Sequence, residues 1–404
     1  MTLTRRDFLR AGAVGMSAFF LPRGPTRDLV RAAHAATSPV LVALYLRGGA
    51  DALTLVVPTF DPDYYTLRPT LAVPPGSELP LADGFGFHPS LADLMPFWND
   101  GRLAVVHACG SPDPSRSHFD CQDFMERAAP GDKSVATGWL NRYLGVAGGG
   151  APIAGITLKR AKAKSMTGAA PSVAFASIAD FAMTGAFVPE RREAVEARYA
   201  FETDPILGQG MRDAFEVLDV VGAVDTTTAV TYPVGELGPV LQDAAALIKA
   251  EVGVRVIAVD LGGWDHHSNQ DVLISALAAE LSAALAAFYA DLGAWSASTL
   301  TLAMTEFGRR PSQNGGGGSD HGHGGVMLAL GDGIAGGRVL LRDDVWPGLA
   351  PGDLYNGEDL QVTTDFRDIF AEALNRHLLV NVGDMGPVFP GFTVDAGRFP
   401  GLWV

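Results

Sequence analysis

Apolar runs of strand length recur along the chain at Val40 to Leu46, Leu103 to Ala108, Val173 to Ile178, Val254 to Val259, Leu300 to Met304 and Val326 to Leu330. They are continuous rather than alternating, which is the pattern of strands covered on both faces in a mainly parallel sheet. Between the fourth and fifth runs, Val272, Leu273, Leu277, Leu281, Leu285, Phe288 and Leu292 recur at helical spacing and predict a helix over 271–292. Strand, helix, strand in that order is a βαβ unit, so the chain is expected to be α/β, with a mainly parallel central sheet and helices on both faces. Residues from about 148 to 235 carry mixed helical patterns and few side chains suited to chemistry, and are expected to form an inserted cap or less regular segment. The glycine run 315–318 lacks the Lys-Ser/Thr ending of a phosphate loop and is expected to be a connector.

In such a sheet ligands bind beyond the carboxyl ends of the strands, and candidate side chains follow the predicted strand ends. Asp51 follows the first run, Ser115 to His118 the second, Asp265 to His267 the fourth and Glu306 the fifth, while Asp320, His321 and His323 arrive from the next loop. Four of the nine histidines fall in the clusters GGWDHH at 262–267 and DHGHGG at 320–325. Imidazoles beside carboxylates suit a zinc or transition-metal site, because such ions take mixed nitrogen and oxygen ligands.

Each candidate also has a plainer role. Asp265 and His267 form a metal-ligand pair or cap the helix that follows, and Glu306, beside Arg309 and Arg310, is a ligand or an ion-paired carboxylate. Asp320, His321 and His323 are too tightly spaced for all three to bind one ion, so one or two of them do. Asp51 is a ligand or a turn residue after Gly48-Gly49. Ser117 opens a helix as an N-cap, with Asp120 completing a box-like cap. A hydroxyl there, beside His118 and Arg116, is also where anion binding and nucleophile activation need little extra machinery, and Ser115 is the second candidate. His88, His107 and His377 lack such company and are expected in the core or on the surface.

The amino-terminal stretch TRRDFLR at 4–10, a weakly apolar segment from Ala11 to Leu21 and the small-residue pattern AHAA at 33–36 have the order of a twin-arginine export signal. Residues 1–36 are therefore set apart from 37–404, and a periplasmic or secreted location is expected. That segment carries six arginines and two aspartates, so its removal would take the net charge from −15 to about −19. So acidic a surface argues against nucleic acid and anionic membrane as partners. After signal removal no membrane insertion is expected, and Cys109 and Cys121 are either a short bridge or two separate buried thiols.

The segments LYLRGGADALTLVVP, PSRSHFDCQDFME, GGWDHHSNQ, TEFGRRP and SDHGHGG, in this order behind the export signal, resemble the bacterial family catalogued as domain of unknown function 1501. That family is similar to a divergent branch of the alkaline phosphatase and sulfatase superfamily. The resemblance implies an alkaline-phosphatase-like central sheet carrying a two-metal site and a serine, threonine or modified cysteine nucleophile. Asp51 would match the early aspartate ligand, Asp265 and His267 the acid-imidazole pair, Glu306 a later acid, and His321 or His323 the last histidine. Phe307 stands where better-known branches have a histidine, and Pro112 where a sulfatase-like motif would place its cysteine.

The expected function is an exported metal-dependent hydrolase of phosphate or sulfate esters, on a small molecule or carried by a polymer. Zinc is the first choice of ion, with manganese, calcium or magnesium as alternatives, and Arg116 or Arg309 would neutralise developing charge. The alternative is a non-catalytic secreted binding or assembly protein retaining a partial metal site. An oxidoreductase subunit has only the export route in its favour.

Overall fold

The fold is seen in a computed structural model that describes residues 39–148, 151–200 and 205–403. The expected export signal lies outside the described residues.

Ten of the fourteen strands among the described residues frame the site: β1 Val40–Leu46, β2 Leu103–Gly110, β3 Gly155–Leu158, β4 Val173–Phe175, β5 Val256–Leu261, β6 Thr299–Met304, β7 Arg309–Gln313, β8 Ser319–His321, β9 Gly325–Gly331 and β10 Arg338–Leu340. All but β7 and β8 line up in one sheet in the order β10-β2-β9-β6-β1-β5-β3-β4. β1 lies parallel to both β5 and β6, and β3 is parallel to β5 and β4. Only β9 runs against its neighbours β2 and β6 in this row. The mainly parallel α/β architecture expected from the apolar runs is what the chain adopts.

The continuous apolar runs follow from double burial. Along β1, Val40, Val42, Leu44 and Leu46 enter one core while Leu41, Ala43 and Tyr45 enter the other. The helices divide accordingly: α1 His118–Arg127, α2 Trp139–Val146, α3 Leu237–Lys249, α4 Gln270–Leu292 and α5 Phe366–Arg376. α3 and α4 cover the first face through Leu241, Leu247, Leu281 and Phe288. On the second face lie α1, α2 and α5, where the Trp139 ring stacks on Phe370 at 4.3 Å. α4 is long and apolar enough to cross a membrane, but Ile274, Leu281, Leu285 and Phe288 are fully or almost fully buried in the core.

The middle of the chain differs from a simple cap. Residues 155–175 add the edge strands β3 and β4 to the central sheet, and helices Val188–Ala200 and Pro205–Gly222 follow them. β3 has only four residues, too short a run to stand out as a strand before its neighbours are known.

β5, α4 and β6 form the expected βαβ unit, and β1 lies between its two strands. The carboxyl ends of β1, β5 and β6 therefore lie side by side. Just past β6, the hairpin β7–β8 folds over this edge, its turn being the glycine run 315–318. Asn314 Oδ1 accepts from the backbone N–H groups of Gly316 and Gly318, which shapes that connector.

Candidate metal centre

His118 is the first residue of α1, Asp265 and His267 lie in the β5–α4 loop, and His321 ends β8. Three distant segments thus meet at one edge of the sheet. His118 Nε2 lies 2.9 Å from His321 Nε2 and 3.3 Å from Asp265 Oδ2, and His321 Nε2 lies 3.2 Å from Asp265 Oδ1. Among the described residues, these three are the group of acids, thiols and imidazoles whose ligand atoms all lie within 4.8 Å of one another. His267 adjoins them, its Nε2 3.0 Å from His321 Nε2 and 3.1 Å from Asp265 Oδ1.

The outer nitrogen of each ring is tied to a group that can only accept. His118 Nδ1–H donates to Glu306 Oε1 at 2.8 Å, His321 Nδ1–H to the Arg116 carbonyl at 2.9 Å, and His267 Nδ1–H to Asp320 Oδ1 at 3.1 Å. With the proton fixed on Nδ1, each neutral ring turns a bare Nε2 lone pair inward. Lone pairs facing one another repel, and a cation between them relieves this. Metal-binding histidines are held in this way, with the second nitrogen bonded to a carboxylate or a backbone carbonyl. Ligand atoms about 2.0–2.1 Å from a tetrahedral ion stand about 3.3 Å apart, and the separations of 2.9 to 3.3 Å within the triad fit that spacing. The residues therefore fit a divalent ion.

Two glycines bring the loops together. Gly48 has φ +121°, and a Cβ there would sit 2.6 Å from the Asp265 backbone nitrogen; a Cβ on Gly308 would sit 1.8 Å from the Gly324 carbonyl. Phe307 packs its ring 4.8 Å from His118 and 4.9 Å from His321, in contact with both imidazoles.

The Glu306 hydrogen bond raises the His118 pKa, against the opposing effect of burial. Burial lowers that of His321. Burial would raise the Asp265 carboxyl, but Arg309, bonded to Oδ1 at 2.6 Å, holds it well below the usual carboxylate range. Asp320 is lowered by Asn314 and then by His267.

Several candidates occupy other places. Glu306 is fully buried behind His118, where it also accepts from Gly48 N at 3.0 Å and Gln122 Nε2 at 2.9 Å, so it orients a ligand. Asp320 does the same for His267. Asp51 caps the short helix Ala52–Leu55 and pairs with buried Arg68, Oδ1 to NH2 at 3.1 Å, while Gln270 and Thr54 bond its other oxygen. Its valences are satisfied away from the triad. His323 is buried and stacks on Tyr355 at 4.8 Å, separate from the cluster.

The expected catalytic group is rearranged as well. Ser117 caps α1 by position without a side-chain hydrogen bond, and the Asp120 side chain pairs with Lys133 at 2.7 Å, so the expected capping box does not form. Ser115 Oγ accepts from Ser117 N at 3.2 Å. Among the described residues His118 has its ring nitrogens on Glu306 and facing His321, and no hydrogen bond joins it to either serine. Arg309 is buried, its guanidinium spent on the carbonyls of Gly48, Gly49, Trp264 and Ser319 and on Asp265. Arg116 bonds Glu358 and Asp359. Cys109 and Cys121 are separate buried thiols, both pushed up to about 12 by burial.

Sequence reasoning placed His118 beside a serine and missed that it meets His321. It also missed Arg68, Gln122 and Gln270. No curated protein matches the chain. Among solved structures it is similar to the C-terminal periplasmic domain of EcEptC from Escherichia coli in complex with Zn, at 10% identity and TM-score 0.35, covering 74% of each chain. A second structure of that domain aligns at 10% identity and TM-score 0.37, over 89% of this chain and 88% of that one. The family model described as "Protein of unknown function (DUF1501)" matches residues 39–383, and the chain belongs to that family.

Proposed function

We propose that the protein is an exported metal-dependent hydrolase of phosphate or sulfate esters. The observation that carries this reading is the inward convergence of His118, Asp265 and His321 with every outer ring nitrogen held by an acceptor. These three would hold the ion, with His267 beside them at the edge of the site. Three protein ligands and one further position is the arrangement of hydrolytic zinc sites. Imidazole donors favour zinc or a neighbouring transition ion over calcium and magnesium, which take oxygen ligands. An ion there would supply Lewis acidity toward an ester oxygen and acidify a water.

The chain's own residues do the rest. Glu306, Asp320 and the Arg116 carbonyl fix ring tautomers, Arg309 keeps Asp265 ionised, and Phe307 excludes water from one side of the imidazoles. Because neither Ser115 nor Ser117 has a base, water is the nucleophile in this proposal. Export rests on the order of motifs in residues 1–36. The decisive experiment is elemental analysis of purified protein beside turnover of aryl phosphate and aryl sulfate esters. Metal-free protein after growth in supplemented medium would sink the hydrolase.

The second reading, a non-catalytic secreted binding or assembly protein, is favoured by the serines lacking a base and by the burial of Arg309. Bound metal without turnover of either ester class would select it.

A further inference from the structure

Beside the centre, two guanidiniums from different segments converge on one acid. Arg116 precedes α1, and its carbonyl holds His321; Arg310 lies on β7, next to the Arg309 that holds Asp265. Arg310 NH2 donates to Glu358 Oε2 at 2.6 Å, and Arg116 NH1 lies 3.3 Å from the same oxygen. One carboxylate oxygen thus sits between two cationic forks, the position an oxyanion takes when two arginines bind it. Arg116 has a second, fully buried partner in Asp359, whereas Glu358 is 47% exposed.

The acid is presented by a tight turn. Tyr355 and Asp359 exchange backbone hydrogen bonds at 2.8 and 3.1 Å, with Asn356 and Gly357 both at positive φ between them. Tyr355 stacks on His323, and Leu360 O accepts from Gly324 N at 2.8 Å, so the turn is anchored to the strand segment that also carries His321. The set is not closed: Arg310 Nε and Asp359 Oδ1 face each other at 3.8 Å, both buried and without a hydrogen-bond partner. Among the described residues Glu358 alone lies within hydrogen-bond distance of the Arg310 guanidinium, with Asp359 farther off at 3.8 Å, so the loss of Glu358 leaves that charge with one more distant partner.

We propose that Arg116 and Arg310 form an oxyanion site which Glu358 occupies as an internal stand-in, and that the phosphoryl or sulfuryl group of an ester displaces it. The ester identity rests on the proposed hydrolase; the site itself rests on the two arginines. Asp359 stays with Arg116 throughout, and the exposed Glu358 side chain swings into solvent.

The test is calorimetric titration of inorganic phosphate at constant ionic strength into the full protein, its Glu358→Gln and Arg310→Gln variants, and the double variant. Glu358→Gln is expected to tighten phosphate binding by about threefold to tenfold, the effect of removing one half-exposed competing charge. Arg310→Gln is expected to weaken binding and to erase that gain in the double variant. Unchanged binding in Glu358→Gln, or a gain that survives Arg310→Gln, overturns the proposal and leaves the ion pairs as structural. Each titration is repeated on chelator-treated protein, since two guanidiniums hold phosphate without an ion. Failure of the stand-in is therefore read separately from failure of the metal centre, which elemental analysis reports. Glu358→Ala, which cannot hydrogen-bond either arginine, gives a second reading of the same gain.

Discussion

Glu306 Oε1 accepts a hydrogen bond from His118 Nδ1–H at 2.8 Å, and by doing so aims the other nitrogen of that ring at His321. The acid lies at the end of β6 and the imidazole at the start of α1, so a contact between separate segments sets the tautomer at the centre of the site.

The first prediction concerns occupancy. Protein purified without chelator is expected to hold about one transition ion per chain, and His321→Ala to lose it. His267→Ala, at the edge of the triad, should keep the ion with weakened affinity. Chelation should lower the melting temperature, since binding to the folded state alone adds about 2.7 kcal/mol when free ion is at 100 times its Kd. Equal metal content in the wild type and His321→Ala would contradict this.

Glu306 and Asp51 should part company on substitution. Glu306→Gln keeps the shape but places an amide donor among four donors, from Gly48, His118, Gln122 and Thr305, and should cost about 10- to 100-fold in metal affinity. Asp51→Asn leaves the buried Arg68 cation poorly paired and should destabilise the fold by about 3–5 kcal/mol, while the folded fraction keeps its ion. Urea unfolding combined with metal titration distinguishes the two losses.

Ser117→Ala is expected to retain ester turnover within about tenfold of wild type, the scale on which general acid–base help begins to register. Asp265→Ala should abolish turnover. A Ser117→Ala protein that holds its ion yet is inactive would restore the serine as nucleophile.

Asp368, almost fully buried in α5 with one oxygen lacking a hydrogen bond, gives a pH test independent of the centre. Burial pushes its carboxyl up to about 6. An unfolded aspartate titrates near 3.9, so between about pH 4 and 6 the folded state holds a proton that the unfolded state has released. Stability must then fall as pH rises through that window and stay lower above it. Asp368→Asn should match wild type near pH 4 and exceed it by on the order of 2–3 kcal/mol at pH 7. Urea unfolding of chelator-treated protein at the two pH values checks this, and a gain of equal size at both would refute it.

Much of the scaffold was legible because double burial writes itself as continuous apolar runs. Val40 to Leu46 and the 271–292 helix are read almost to the residue. The short β3 was not, since four residues carry no period. At the site, residue types and strand ends pointed to the right edge of the sheet, but depth around an ion did not show in the chain order. Whether Glu306 touches the ion or stands behind His118 depends on where Gly48 lets the backbone pass, a distance that no spacing encodes. Asp51 misled because Arg68, its partner, lies in a segment with no chemical signature of its own.

The separation of the ligands along the chain has a further consequence. His118 enters from one side of the sheet and Asp265 and His321 from much later in sequence, so one ion would close a very long loop. The centre would then act as a clasp as well as a reagent: the ion would hold together, in the folded state alone, segments that lie far apart along the chain. Metal content would therefore report that the segments carrying His118, Asp265 and His321 have come together.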